Sequence, residues 1–181
     1  LSKKESKHID FEAIKTKYIT KSKLMDNAGR LSAQFFVEKT TNPFNQKVLV
    51  LAGKGDNGGD AIIMHHYLRQ YGVDSKLYLF DFNCSKRLVN KYEISHKHII
   101  KSELKKIINS FDWFIDGIFG IGLNRKIKNP YNDIIKLMDS KNIISLDIPS
   151  GIECDTGLPI SEFYIEPKYV LCMGYYKNAN V

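Results

Sequence analysis

The chain has 181 residues, 43% of them hydrophobic and 12% aromatic, a composition that supports one compact domain with a real core and argues against a disordered or fibrous chain. Its 27 basic and 20 acidic side chains leave a net charge of +7, carried by lysines scattered most densely over residues 1–23 and 86–106, without the dense basic run and interleaved aromatics of a nucleic-acid surface. No apolar run is long enough to span a membrane, no signal-peptide pattern is seen, and Cys84, Cys154 and Cys172 have no paired spacing, so they read as reduced thiols rather than a disulfide framework or zinc site.

In chain order, the pattern alternates helix and strand. Ser22 caps a predicted helix over residues 23–39, with Leu24, Ala28, Leu31 and Phe35 on one face; Phe35 and Phe36 are a candidate dimer interface, although core packing is the commoner use of such aromatics. The apolar run 48–52 predicts a buried strand, followed by a glycine loop and a helix carrying Ala61, Ile62, His65, Leu68 and Arg69 that ends near Gly72. Next come a strand over 76–81, a helical segment over 102–109, a strand over 112–119, a second glycine loop, a helix from Pro130 through Met138, and strands over 143–147 and 169–173. Strands separated by helices imply an α/β fold, a three-layer αβα Rossmann-like sandwich with a mostly parallel central sheet, over a single domain spanning residues 1–181.

The loop at 53–60, Gly-Lys-Gly-Asp-Asn-Gly-Gly-Asp, is the most informative stretch. Glycine at Gly53, Gly55 and Gly58 admits positive φ and lets a ligand approach bare amides, and the following helix N-terminus offers N–H donors to an anion. Gly53-x-Gly55-x-x-Gly58 reads as the dinucleotide fingerprint, and Asp81 ends the next apolar run where a ribose-binding acid would fall. A tight turn whose glycines serve packing only is the competing reading. Asn57 between Asp56 and Asp60 favours a site, because such a polar cluster is costly as packing and its oxygens suit a hard cation or hydroxyl groups. His65-His66 and His96-x-His98 lack acidic or Cys partners at ligand spacing and read as surface histidines.

Ligands in parallel sheets sit outside the carboxyl ends of the strands. Two further polar clusters fall there: Asp116 with Gly120-Ile121-Gly122-Leu123-Asn124-Arg125, and Asp147-Ile148-Pro149-Ser150-Gly151. A carboxylate in or just after an apolar strand is expensive unless paired or used, and two at neighbouring sheet edges point to a site rather than to loop anchors.

Residues 24–30 (Leu-Met-Asp-Asn-Ala-Gly-Arg), 53–60, 116–125, and 147–157 with its Asp155-Thr156-Gly157 ending together resemble the YjeF N-terminal domain family, four motifs in order over almost the whole chain. The resemblance implies an NAD(P)H-hydrate epimerase, an isomerase of metabolite repair for which the dinucleotide is substrate and not redox cofactor. It implies that Asn57, Asp116 and Ser150 hold a potassium ion. It implies that the substrate lies along Asp56, Asn57, Gly58, Gly59 and Asp60 and along Gly120, Ile121, Gly122, Leu123, Asn124, Arg125 and Lys126, with Asp147 closest to the reacting ring as general acid/base. Arg125 and the glycine amides would face the phosphates. The implied partners are hydrated NADH or NADPH, a separate dehydratase specific for the S form, and a second copy in a homodimer.

Two positions depart from the family pattern: Asp56 stands where Asn is common and Ile121 where a small hydroxyl residue is common. The resemblance also leads one to expect a closing helix or strand after residues 174–177, so the C-terminus is expected to be either shortened or incomplete, and residues 1–181 are expected to lack the dehydratase domain that some members carry. The alternative function is a non-catalytic scaffold of the mRNA-decapping type that binds RNA or protein partners; nucleic-acid binding is disfavoured because Asn57, Asp116, Asp147 and Ser150 are all retained. The expected compartment is the cytoplasm, or the mitochondrion if a presequence has been removed.

Overall fold

The computed structural model describes residues 1–94, 101–139 and 141–180. Five strands, β1 (Lys47–Ala52), β2 (Asp74–Leu79), β3 (Trp113–Gly117), β4 (Asn142–Leu146) and β5 (Tyr169–Leu171), form one sheet in the order β2-β1-β3-β4-β5, and every pairing is parallel. The helices are α1 (Lys3–Lys15), α2 (Lys21–Lys39), α3 (Asp56–Gln70), α4 (Phe82–Lys91), α5 (Lys101–Ile107) and α6 (Tyr131–Lys136). The expected three-layer α/β architecture is therefore observed.

Alternation along β1 explains the layers. Val48, Val50 and Ala52 face one side, where they pack with Ala33, Phe36, Ile62, Leu68 and Val89 of α2, α3 and α4, while Leu49 and Leu51 face the other with Leu104, Ile134 and Ile135 of α5 and α6. Both faces of β1 and β3 are covered, so past the exposed Lys47 that opens β1 these strands are apolar except for Asp116. The glycine of the first motif serves this packing: a Cβ on Gly29 would stand 2.5 Å from Ile63 Cγ2, so α2 crosses α3 at backbone distance. Phe36 is wholly buried, and Phe35 packs edge-on against Tyr169 at 5.5 Å, so the aromatic pair offered as an interface is used within the chain.

Several expected boundaries move. Thr20, not Ser22, caps α2 by accepting from the Lys23 N–H. Strand β2 begins two residues before the expected position and stops at Leu79, which leaves Asp81 to cap α4. Helices α1 and α4 lay unread because their apolar residues are sparse; α1 is set instead by a Ser2–Glu5 capping box. His65 is buried and bonded to Ser75 at 2.7 Å, with burial pushing its pKa down to about 4, so it is a core residue and not a surface one. His96 and His98 lie outside the described residues. All three cysteines are free. Among the described residues no helix is long and apolar enough to cross a membrane.

Candidate functional site

Chain order reverses between β1 and β3, because β1 leads to β2 on one side while β3 lies on the other. That reversal opens a crevice at the carboxyl ends of β1, β3 and β4, where loops 53–56, 117–126 and 147–151 meet.

The glycines of the first loop work by close approach. A Cβ on Gly53 would stand 1.9 Å from the Ile118 carbonyl oxygen, and one on Gly58 would stand 2.0 Å from the Gly53 carbonyl oxygen. None of Gly53, Gly55 and Gly58 has positive φ, which corrects that part of the sequence reading; their cost-free property here is the missing side chain. Gly55, at the N-cap of α3, has open space around it and supplies no side-chain cap, so the first-turn amides of α3 face outward unpaired by a cap.

Asp116 is the buried hub. It lies opposite Ser145 in the β3–β4 register, and Ser145 Oγ donates to its Oδ2 at 2.8 Å. Ser150 adds two donations, its N–H to Oδ2 at 2.9 Å and its hydroxyl to Oδ1 at 2.6 Å, and the Ile118 N–H reaches Oδ1 at 3.2 Å. Burial pushes the Asp116 carboxyl up and these four donors pull it back. Ser150 Oγ also accepts from the Phe119 N–H at 3.0 Å, while Asn57 Nδ2 donates to the Phe119 carbonyl at 2.8 Å. The three residues Asn57, Asp116 and Ser150 thus converge on one turn, 118–119, and Asn57 Oδ1 is left buried with no hydrogen-bond partner.

Asp147 stands at φ 65° in a γ-turn closed by the Ile148 N–H to the Leu146 carbonyl at 2.8 Å. Positive φ at a residue with a side chain costs about 1–3 kcal/mol and persists only where the surroundings enforce it. The enforcement comes from residues the sequence reading did not single out. Lys177 Nζ donates to Asp147 Oδ1 at 2.6 Å, and Asn180 Nδ2 donates to the Asp147 carbonyl at 2.7 Å. An isolated lysine in a polar tail gives no sequence signal for this; only its position after the last strand does. A Cβ on Gly120 would sit 3.1 Å from Asp147 Oδ2 and 3.2 Å from Asn57 Cβ, so Gly120, Asn57 and Asp147 border one space.

Asp60, on the second turn of α3, completes the acidic group. Loss of water around it, then the negative charges of Asp147, Asp56 and Asp10, push its pKa up to about 8. Its neighbour Asp56 is exposed and held by Lys21 at 2.8 Å, which partly answers the charge its departure from Asn introduces. Of the second loop, Gly122, Asn124, Arg125 and Lys126 are exposed at the mouth, and Ile121 is half-buried. Leu123 packs into the core under α6, so only its backbone remains for a ligand. Asp81 caps α4 and pairs with Lys54 at 3.0 Å, and Lys54 holds its carboxyl below the usual range. Beside the loop, a cavity of about 310 Å³ is lined by Gly53, Gly55 and Asp56 with the cations Lys21, Lys54 and Arg87, and does not include Asp116, Asp147 or Lys177.

Residues 21–179 match the family described as YjeF-related protein N-terminus. A bifunctional NAD(P)H-hydrate repair enzyme Nnr of Dictyoglomus turgidum is 35% identical over 83% of this chain and 30% of its own length. NAD(P)H-hydrate epimerases of Plasmodium knowlesi and Elusimicrobium minutum are each 30% identical, over 75% and 99% of this chain and 49% and 87% of their own lengths. The chain thus spans half or less of the first two relatives. The crystal structure of the yeast protein ynu0 superposes with a TM-score of 0.82 over 99% of this chain and 82% of that one at 24% identity, a likeness of fold.

Proposed function

Since the chain belongs to the family of YjeF-related protein N-termini, we propose that it is an NAD(P)H-hydrate epimerase, an isomerase that interconverts the R and S forms of hydrated NADH and NADPH. The observation that carries the reading is the meeting of three separate motifs at one space, with Asn57, Gly120 and Asp147 on its walls. Relatives named for this activity and for bifunctional hydrate repair support it. The bifunctional relatives also support coupling to a dehydratase that consumes the S form.

The substrate would lie along residues 56–60 and 120–126, its phosphates toward the α3 amides and Arg125, with the basic cavity of Lys21, Lys54 and Arg87 suited to a further anionic group. The reacting carbon bears a hydroxyl and adjoins the ring nitrogen. Protonation of that hydroxyl lets it leave as water while the nitrogen lone pair forms the C=N bond; water then adds from the other face and gives its proton back. The site offers both halves of this exchange. Asp60, held protonated near neutral pH, is the proton donor, and Asp147, paired with Lys177, is the carboxylate that faces the ring.

Asn57, Asp116 and Ser150 would hold the potassium ion. The residues fit it: an amide oxygen, a carboxylate and a hydroxyl are hard donors, and the orphaned Asn57 Oδ1 lacks any other partner. Such an ion supplies fixed positive charge beside the acidic group.

The test supplies the pure R hydrate of NADPH with a dehydratase that accepts only the S form and follows recovery of reduced cofactor. Acceleration above the spontaneous rate that disappears in Asp147→Asn supports the reading; no acceleration by the folded protein removes it.

A further inference from the structure

Lys177 is buried to 1% of its side chain, and its Nζ donates to Asp147 Oδ1 at 2.6 Å, the Met173 carbonyl at 2.9 Å and the Tyr175 carbonyl at 3.2 Å. The three N–H groups of this ammonium side chain meet three acceptors. Taking such a charge out of water costs several kcal/mol, and an apolar side chain of like volume commonly stabilises a fold as well or better. Stability alone therefore gives a poor account of a lysine here.

The same short segment holds the other end of Asp147. Asn180 Nδ2 donates to the Asp147 carbonyl at 2.7 Å, and Asn180 Oδ1 accepts the Lys177 N–H at 2.9 Å. One clamp fixes the carboxylate, the second fixes the backbone at its unfavourable φ of 65°. With Oδ1 taken by Lys177, Oδ2 is the oxygen turned toward Gly120 and the shared space. Two further carboxylates feel the charge of Asp147: Asp60 from α3, and Asp10 from α1, which also feels Lys177.

Building on the epimerase reading, we infer that Lys177 and Asn180 are positioning residues for the reaction: Lys177 holds one oxygen of Asp147 so that the other is aimed at the substrate ring, and Asn180 holds the strained turn that presents it. The C-terminal segment 173–180 is then part of the working site, and acts through Asp147 alone.

The test measures kcat and KM with the R hydrate of NADPH for wild type, Lys177→Met, Asn180→Ala, Asp147→Asn and the Lys177→Met/Asp147→Asn pair. Lys177→Met should lower kcat about 100-fold, the scale of one general acid–base group, with KM within about threefold. The double variant should be no slower than Asp147→Asn. Asn180→Ala, which leaves the ion pair in place, should lower kcat about tenfold through misplacement of the carboxylate. An unchanged kcat in Lys177→Met, or a loss that adds to that of Asp147→Asn, overturns the inference. If Lys177→Met does not fold, an unchanged kcat in Asn180→Ala overturns it instead. An inactive wild-type protein would remove the epimerase reading itself, whereas an active one with indifferent variants removes only the role of the clamp.

Discussion

Ser150 grips Asp116 twice, through its N–H to Oδ2 at 2.9 Å and its hydroxyl to Oδ1 at 2.6 Å, and so ties the loop after β4 to the end of β3. The carboxylate is fully buried, which makes each donor matter more than it would at the surface. Ser150→Ala removes the hydroxyl while leaving the main-chain bond. It should lower stability by about 1–3 kcal/mol, the cost of leaving a buried acceptor short of a partner. Urea unfolding checks this: a midpoint shift with unchanged slope is the expected result, and no shift would mean that water or an ion replaces the hydroxyl without loss.

The potassium proposal makes a separate prediction that needs no substrate. Potassium chloride should raise the thermal midpoint above that in sodium or choline chloride at equal ionic strength, because a ligand that binds only the folded state stabilises it by about 2.7 kcal/mol at 100 times its Kd. Asn57→Ala removes the unpartnered Oδ1 and should abolish the difference between the salts. Equal midpoints in the three salts for wild type would count against a potassium site at these residues.

Gly58 and Gly55 look alike in the sequence and should behave oppositely. Gly58→Ala forces a methyl to 2.0 Å from the Gly53 carbonyl oxygen, so it should destabilise by about 1–3 kcal/mol through overpacking, despite the better helix propensity of Ala. Gly55 has nothing within 4 Å and an ordinary φ of −92°, so Gly55→Ala should keep stability within about 0.5 kcal/mol yet raise KM by placing a methyl where the substrate would approach. Thermal melts and steady-state kinetics on the two variants separate packing from binding; equal stability losses would show that the loop glycines serve one purpose.

This contrast also marks how far the sequence was legible. The alternation of apolar runs with helical periodicity was enough to place the sheet, because a strand such as β1, buried on both faces after Lys47, must be apolar over its buried length. Asp116 stood out for the same reason, as a charge in a strand with no water near it. Lys177 could not stand out: its burial depends on the chain folding back from β5 across the end of β4, a contact 30 residues apart in sequence. Helix α1 was unreadable because its only buried side chain is Ser6, so no apolar stripe announces it. Asp81 caps α4, and a helix cap and a ribose ligand fall in the same place after a strand, so the pattern does not distinguish them.

Asp60 and His65 lie on the same helix and should tilt stability with pH in opposite directions. Asp60 is raised from 3.8 to about 8, so between those values the unfolded chain releases a proton that the folded chain keeps. Its contribution is fully present below pH 3.8 and is lost as pH rises toward about 8. His65 is lowered from 6.5 to about 4, so the unfolded chain binds a proton the folded chain refuses, and stability is lost as pH falls through that window. The two effects oppose each other below pH 6.5, and above it that of Asp60 stands without the opposing effect of His65. Asp60→Asn should therefore gain stability over wild type progressively from pH 6.5 to about 8. Denaturant melts of both proteins across that range check it. Parallel stability curves would show that Asp60 is ionised at neutral pH in the folded protein, and would remove it as the proton donor.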